Sequence, residues 1–136
     1  MNLKDDDRLF WAGTVRVNQQ IAIATSTGRI LRMPADEEQI PTLGRAAMGD
    51  RALRLRHTET LVAAMTLDLG ENPDTEIVLV TAQGMAKRIG ADSLRLAPRG
   101  SIGSQTMTFR NKQDYLVAAA AIAPSTGANQ RSTPPL

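Results

Sequence analysis

The residues with the most chemical potential in this chain are its arginines. Thirteen of its sixteen basic side chains are guanidinium groups. A guanidinium offers a planar fork of donors that matches two phosphate oxygens at once, whereas an ammonium is a point charge. Fourteen acids bring the net charge to only +2, but they stand apart from the bases. Asp5, Asp6 and Asp7 open the chain, Asp36, Glu37 and Glu38 form a second block, and Asp68, Glu71, Asp74 and Glu76 a third. Between them, residues 45–56 hold four arginines against Asp50, and residues 87–112 hold six cations against Asp92. A modest total therefore conceals locally basic stretches suited to a polyanion backbone. The plainer alternative is that these arginines only solubilise strands.

Other chemistries are poorly supplied. The chain has no cysteine, which removes disulfide frameworks, thiolate metal sites and cysteine nucleophiles together. Its single histidine, His57, falls at a turn and reads as a solvated loop residue. Tyr115 reads as a strand residue and not as a nucleophile. Asp36, Glu37 and Glu38 are consecutive on a loop and do not converge on one ion. Four aromatic residues are too few for a single-strand stacking platform. With no nucleophile–base pair or metal set in view, we expect no catalytic residue, no metal and no cofactor. The 136 residues suit one domain, no stretch approaches the roughly 20 apolar residues of a membrane span, and MNLKDDDR has no leader-like apolar run. Those features predict a cytoplasmic protein.

The elements that must carry the arginines show themselves as a repeat. IAIATSTGRILRM (residues 21–33) lies over IVLVTAQGMAKRI (residues 77–89), matching Ile21 with Ile77, Thr25 with Thr81, Gly28 with Gly84 and Arg32 with Arg88 at an offset of 56. LGRAAMG (residues 43–49) lies over APRGSIG (residues 97–103) at an offset of 54, placing Arg45 on Arg99 and Gly49 on Gly103. LVAAMTL (residues 61–67) lies over LVAAAAI (residues 116–122) at an offset of 55.

Each unit reads as β structure. Residues 21–26 and 76–81 are apolar and β-branched, and each leads through a glycine, Gly28 or Gly84, into a second strand. Such a hairpin turn needs a positive φ at its glycine. Period-two alternation predicts strands at residues 51–56 and 105–110, with Leu53 and Leu55, or Met107 and Phe109, facing inward. Residues 61–67 and 115–122 close each unit; alanines 118–121 also suit a helix, but the matching LVAAMTL favours a strand. Residues 36–39 and 92–94 each have room for one helical turn. Phe10 and Trp11 are expected on a strand, in the core or covering an edge. The predicted organisation is a flexible segment 1–8, a blade-like repeat at 9–67, a loop at 68–75, a second blade at 76–123 and a disordered tail at 124–136. The fold class is all-β, with two four-stranded propeller-type blades. Two blades cannot close a ring and leave bare edges, so strand exchange between them or self-association is expected.

These blocks resemble the C-terminal DNA-wrapping domain, a β-pinwheel, of the A subunits of bacterial type IIA topoisomerases, DNA gyrase and topoisomerase IV. The resemblance covers about residues 20–122. It rests on the Thr-x-x-Gly turn at Thr81 to Gly84, the basic strand with Lys87 and Arg88, and the stretch IPTLGRAAMGDRAL around the family's signature heptad. Arg45 and Gly49, and Arg99, Gly100 and Gly103, fit the heptad's arginine and glycine positions. Met48 and Ile102 stand at its lysine position, and its glutamine is missing from both copies. So degenerate a heptad is closer to topoisomerase IV, and implies bending of DNA more than chiral wrapping. The resemblance implies a non-enzymatic module of an ATP-dependent topoisomerase, bound to duplex phosphates by Arg29, Arg32, Arg45, Arg54, Arg56, Lys87, Arg88, Arg99, Arg110 and Lys112. Glycines of the heptad-like loops would bring backbone N–H groups close to phosphate oxygens. Partners are then double-stranded DNA in the nucleoid, the remainder of a topoisomerase or further blades, and other copies of the chain. The length is consistent with an excised or shortened piece of a longer pinwheel. From another functional class, a scaffolding module that kept the fold and lost DNA binding fits the same residues.

Overall fold

A computed structural model describes residues 1–123, so the tail expected at 124–136 lies outside the described residues. Seven strands form two antiparallel sheets, with no α-helix among the described residues. In the first repeat these are β1 (Gln20–Thr25), β2 (Arg29–Pro34) and β3 (Leu61–Leu67). The second holds β4 (Glu76–Thr81), β5 (Ala86–Gly90), β6 (Ser104–Gln105) and β7 (Leu116–Ile122), with a single 3-10 turn at Ala91–Ser93. The β1–β2 and β4–β5 hairpins turn through Gly28 and Gly84 at φ of 85° and 89°, a backbone region that side-chain-bearing residues rarely enter. LVAAAAI is a strand: β7 pairs with β4 from Glu76↔Ile122 to Thr81↔Leu116, as β3 does with β1. Tertiary pairing overrides the helix propensity of four alanines.

Strand order is β3-β1-β2-β6 in the first sheet and β5-β4-β7 in the second. The first sheet thus takes its fourth strand from the second repeat, through Arg29↔Gln105 and Ile30↔Ser104. This exchange covers the β2 edge, one of the two outcomes expected of bare edges. Gly103 makes it possible. A Cβ there would lie 2.9 Å from the Ile30 carbonyl oxygen, and φ is 92°. Among the described residues the second sheet has three strands, and no strand covers its β5 edge.

The sheets share one core. Ala22, Ala24, Ile30 and Met65 of the first pack with Ile77, Leu79 and Leu116 of the second, and Met107 and Phe109 lean on the same cluster. Alanine at positions 22 and 24, both fully buried, lets the sheets approach. The opposite face of the first sheet buries Ile23, Leu31 and Met33 under Leu53 and Ala97.

Three sequence expectations need correction. Residues 51–56 are not a strand. Leu53 is buried, but Leu55 is 44% exposed, so alternation does not mark a buried face. The segment gives its backbone groups to loop and side-chain partners instead. Of residues 105–110 only Gln105 is in a strand, although Met107 and Phe109 do face the core. Phe10 and Trp11 are on no strand and are 44% and 39% exposed; the Trp11 ring folds over Gly13.

Candidate nucleic-acid interface

The hairpin turns are held by acids that charge counting overlooked. In the first repeat Glu59 accepts from the Thr25 hydroxyl at 2.8 Å, from the Thr27 hydroxyl, and from the Arg56 backbone N–H at 2.7 Å. It also forms a two-point ion pair with Arg29, whose Nε donates to Oε2 at 2.8 Å while Nη2 meets Oε1. Burial alone would raise the Glu59 carboxyl, but the bonds from Arg29, Thr27, Arg56 and Thr25 overcome that and hold it down at about 2. In the second repeat Asp114 accepts the N–H groups of Gln83 and Tyr115, both at 2.9 Å. Its carboxyl is likewise lowered, burial opposing and the bonds from Thr81 and the backbone prevailing. The signal was present in the sequence: both acids stand two residues before LVAA, 55 positions apart.

The two heptad-like loops meet. Gly100 N–H donates to the Ala52 carbonyl at 2.8 Å, and Arg54 N–H to the Ser101 carbonyl at 3.2 Å. Arg99 Nη1 donates to the Arg51 carbonyl at 3.3 Å, and its backbone N–H to Gln39 Oε1 at 2.7 Å. Arg51, Arg54 and Arg56 of one repeat and Arg99 of the other therefore share one loop pair, the first three exposed and Arg99 half-buried. Arg45 is exposed on the same first-repeat loop. Arg99 pairs with neither Asp50 nor Asp92; among the described residues it forms no ion pair, and its Nε is buried without a partner.

Other expected contacts fall elsewhere. Arg29 is 1% exposed and its guanidinium is committed inside the fold, so it cannot make the expected phosphate contact. Arg32 is half-buried, with Nη1 on Gln20 Oε1 at 3.0 Å and Nη2 on the Leu94 carbonyl at 2.6 Å; burial lowers its pKa and Asp92 partly offsets this. It braces β2 against the second repeat. Gly100 has its N–H on Ala52, and Gly103 serves the close approach to β2, so neither is free to cradle phosphate. Gly49, at φ 87°, packs near Met1.

Lys87 and Arg88 are exposed on β5 but lie on opposite faces of it, because consecutive strand residues alternate. Lys87 Nζ donates to the Thr106 carbonyl at 2.7 Å, and Arg88 pairs with Glu76 at 3.3 Å. Lys87 and Arg110 line one open cleft, and Lys112 lines another with Thr27, Thr58 and Tyr115; Phe109 and Asp114 border both. His57 and Tyr115 are exposed, and Tyr115 precedes β7. Asp36 and Glu37 accept bonds from Gln39 and Thr42 within their own turn. Among the described residues no three His, Cys, Asp or Glu side chains gather as a metal site, and no helix is long and apolar enough to cross a membrane.

Two antiparallel sheets stacked face to face, each built on a glycine hairpin locked by an acid and joined by an exchanged strand, define a tandem-blade protein of the β-propeller type. The family model described as the DNA gyrase C-terminal domain, beta-propeller, matches residues 19–68 and 75–123, one match to each blade. The chain belongs to this DNA gyrase C-terminal domain family. It is 32% identical over 142 residues to the A subunit of DNA topoisomerase 4 from Synechocystis sp., covering 98% of this chain and 15% of that protein. It is 32% identical over 117 residues to the A subunit of DNA gyrase from Staphylococcus epidermidis, covering 86% of this chain and 13% of that one. The chain thus spans a small part of the length of these relatives. The fold is similar to a solved DNA gyrase A C-terminal domain, with a TM-score of 0.63 and 17% identity over 79% of this chain and 32% of that one. A solved C-terminal domain of DNA topoisomerase IV gives 0.67 and 19%, over 78% and 31%.

Proposed function

We propose that this chain is a non-enzymatic module that binds and bends duplex DNA through its phosphate backbone, in support of a topoisomerase whose reaction is carried out elsewhere. The observation that carries the reading is the loop pair on which Arg51, Arg54, Arg56 and Arg99 converge from two repeats. Arg45 stands exposed on the same first-repeat loop, and Lys87, Arg110 and Lys112 add charge along the second blade; Arg88 is instead ion-paired with Glu76 on the Val78 face. Guanidinium groups presented from irregular loops can follow the charge of a duplex without reading base edges. Little sequence preference and some dependence on bendability follow.

The bound surface is tested by salt titration on a duplex of about 40 base pairs. Each neutralised phosphate contributes about −0.9 to the log–log slope, so four contacts give about −3.6. Alanine at both Arg54 and Arg56 should make the slope shallower by about 1.8, equally on unrelated sequences. Failure to bind duplex at low salt would reject the reading in favour of a scaffolding module.

The partner reading is supported by the second sheet's outer face. Val78 lies opposite Ala120, and Val80 opposite Ala118. These are the repeat equivalents of the Ala22 and Ala24 face by which the first sheet holds the second. A further blade, from the rest of a longer polypeptide or from another copy, fits this face and the β5 edge. Light scattering showing only a monomer at high concentration would remove the second source. DNA as partner implies a place in the cytoplasmic nucleoid.

A further inference from the structure

We propose that the buried Arg29 is a positioning residue for the duplex-binding surface. It holds the arginine-bearing loop of the first repeat and the glycine loop of the second in one arrangement, so that Arg54 and Arg56 meet phosphates together. The inference rests on the duplex-binding reading above. The guanidinium directs its donors to three acceptor groups on two loops. Nε and Nη2 take the two Glu59 oxygens, Nη2 also donates to the Arg54 carbonyl at 3.0 Å, and Nη1 donates to the Ile102 carbonyl. Glu59 in turn holds the Arg56 N–H at 2.7 Å. The backbones of Arg54 and Arg56 are therefore fixed by one buried pair, while both side chains stay exposed. The Ile102 carbonyl immediately precedes Gly103, the residue pressed against β2.

Stability alone does not call for this arrangement. A buried ion pair is often matched or bettered by apolar residues of similar volume. The second repeat shows the alternative within the same chain: Met85 stands where Arg29 does at the offset of 56, and its hairpin is formed with Asp114 holding the turn. What the first repeat has in addition is the reach to the Arg54 and Ile102 carbonyls. Only the planar, many-donor fork of arginine serves a carboxylate and two carbonyls at once. Fixing the loops before DNA arrives removes an ordering cost that would otherwise oppose binding.

The test uses the whole chain in two forms: Arg29→Met combined with Glu59→Leu, which removes both buried charges together, and Arg29→Lys, which keeps the charge on Glu59 but cannot reach all three acceptors. Three readouts are taken: the thermal transition, amide hydrogen exchange at residues 54–56 and 101–103, and the salt slope on a duplex of about 40 base pairs. Expected are folded variants, faster exchange at those amides, and a slope shallower by about 1.8. Between about 50 and 200 mM salt that is about a 12-fold smaller loss of affinity than for the unaltered chain. If the double variant does not fold, Arg29→Lys gives the same readout. A purely structural role lowers the transition and leaves the slope of the folded protein unchanged, which overturns the proposal. An unaltered chain that does not bind duplex at low salt overturns the duplex reading itself, and the positioning role with it.

Discussion

Acid should loosen this protein through Glu59 more than through its other carboxyls. The Glu59 side chain is fully enclosed and carries a carboxyl held at about 2, against an ordinary value of 4.5. A group whose folded pKa is depressed stabilises the fold above its unfolded pKa, and that stability is lost as pH falls toward the folded value. The difference of two to three units corresponds to roughly 3 kcal/mol at neutral pH. Through the linkage relation, little is lost down to about pH 5, roughly 2 kcal/mol is gone by about pH 3, and the loss is complete near about pH 1. The assay is urea unfolding at pH 7, 5, 4 and 3 for the unaltered chain and for Glu59→Gln. Glutamine does not titrate, and it leaves the Arg29 charge enclosed without a counter-charge. The variant should be about 3–5 kcal/mol weaker at pH 7. Its deficit should shrink as pH falls, because the unaltered chain gives up the same ion pair. Asp114 is also lowered, so both chains share its contribution, and the difference between them isolates Glu59. Parallel stability curves for the two chains from pH 5 to pH 3 would refute the reasoning.

Further outcomes follow from the packing and the exchanged strand. Leu79→Ala, at a fully buried position between the sheets, should cost about 2–5 kcal/mol and lower the urea midpoint in a single transition, since both blades share that core. Gly103→Ala places a Cβ 2.9 Å from a backbone oxygen at φ 92°, so it should free β6 from β2; faster amide exchange at Gln105, with β4 and β7 still protected, is the mark of that change. Ala24→Leu should weaken the fold by about 1–3 kcal/mol through overpacking where the sheets touch, and a neutral result in thermal unfolding would mean that the contact is loose.

Much of the fold was legible because local rules and tertiary packing agreed. The glycine turns at Gly28 and Gly84, the strands at β1, β2, β4 and β7, and the matching roles of LVAAMTL and LVAAAAI as closing strands follow from β-branched runs, positive φ and one repeat spacing of 54 to 56 residues. Residues 51–56 misled because alternation reports a buried face only when a sheet is there to receive it. Here the Ala52 carbonyl, the Arg54 N–H and the Arg54 carbonyl are taken by Gly100, Ser101 and Arg29 instead. Part of the site was legible as well. Arg54, Arg56 and Arg45 are as exposed as their composition suggested. Arg29 read as one more cation, and nothing local distinguishes a strand arginine in solvent from one facing an acid thirty residues away.

The amino-acid sequence by itself determined that a β unit is used twice, where its hairpins turn, and that guanidinium groups dominate its positive charge. Those properties depend on residue type and short spacing, which the chain carries wherever it goes. Only the tertiary structure decided which guanidinium groups face solvent, that a strand of the second repeat completes the first sheet, and that the two arginine- and glycine-bearing loops lie side by side. Those outcomes depend on contacts between residues about 30 to 80 positions apart, where burial of an ion pair and the space left by a missing Cβ settle what composition leaves open.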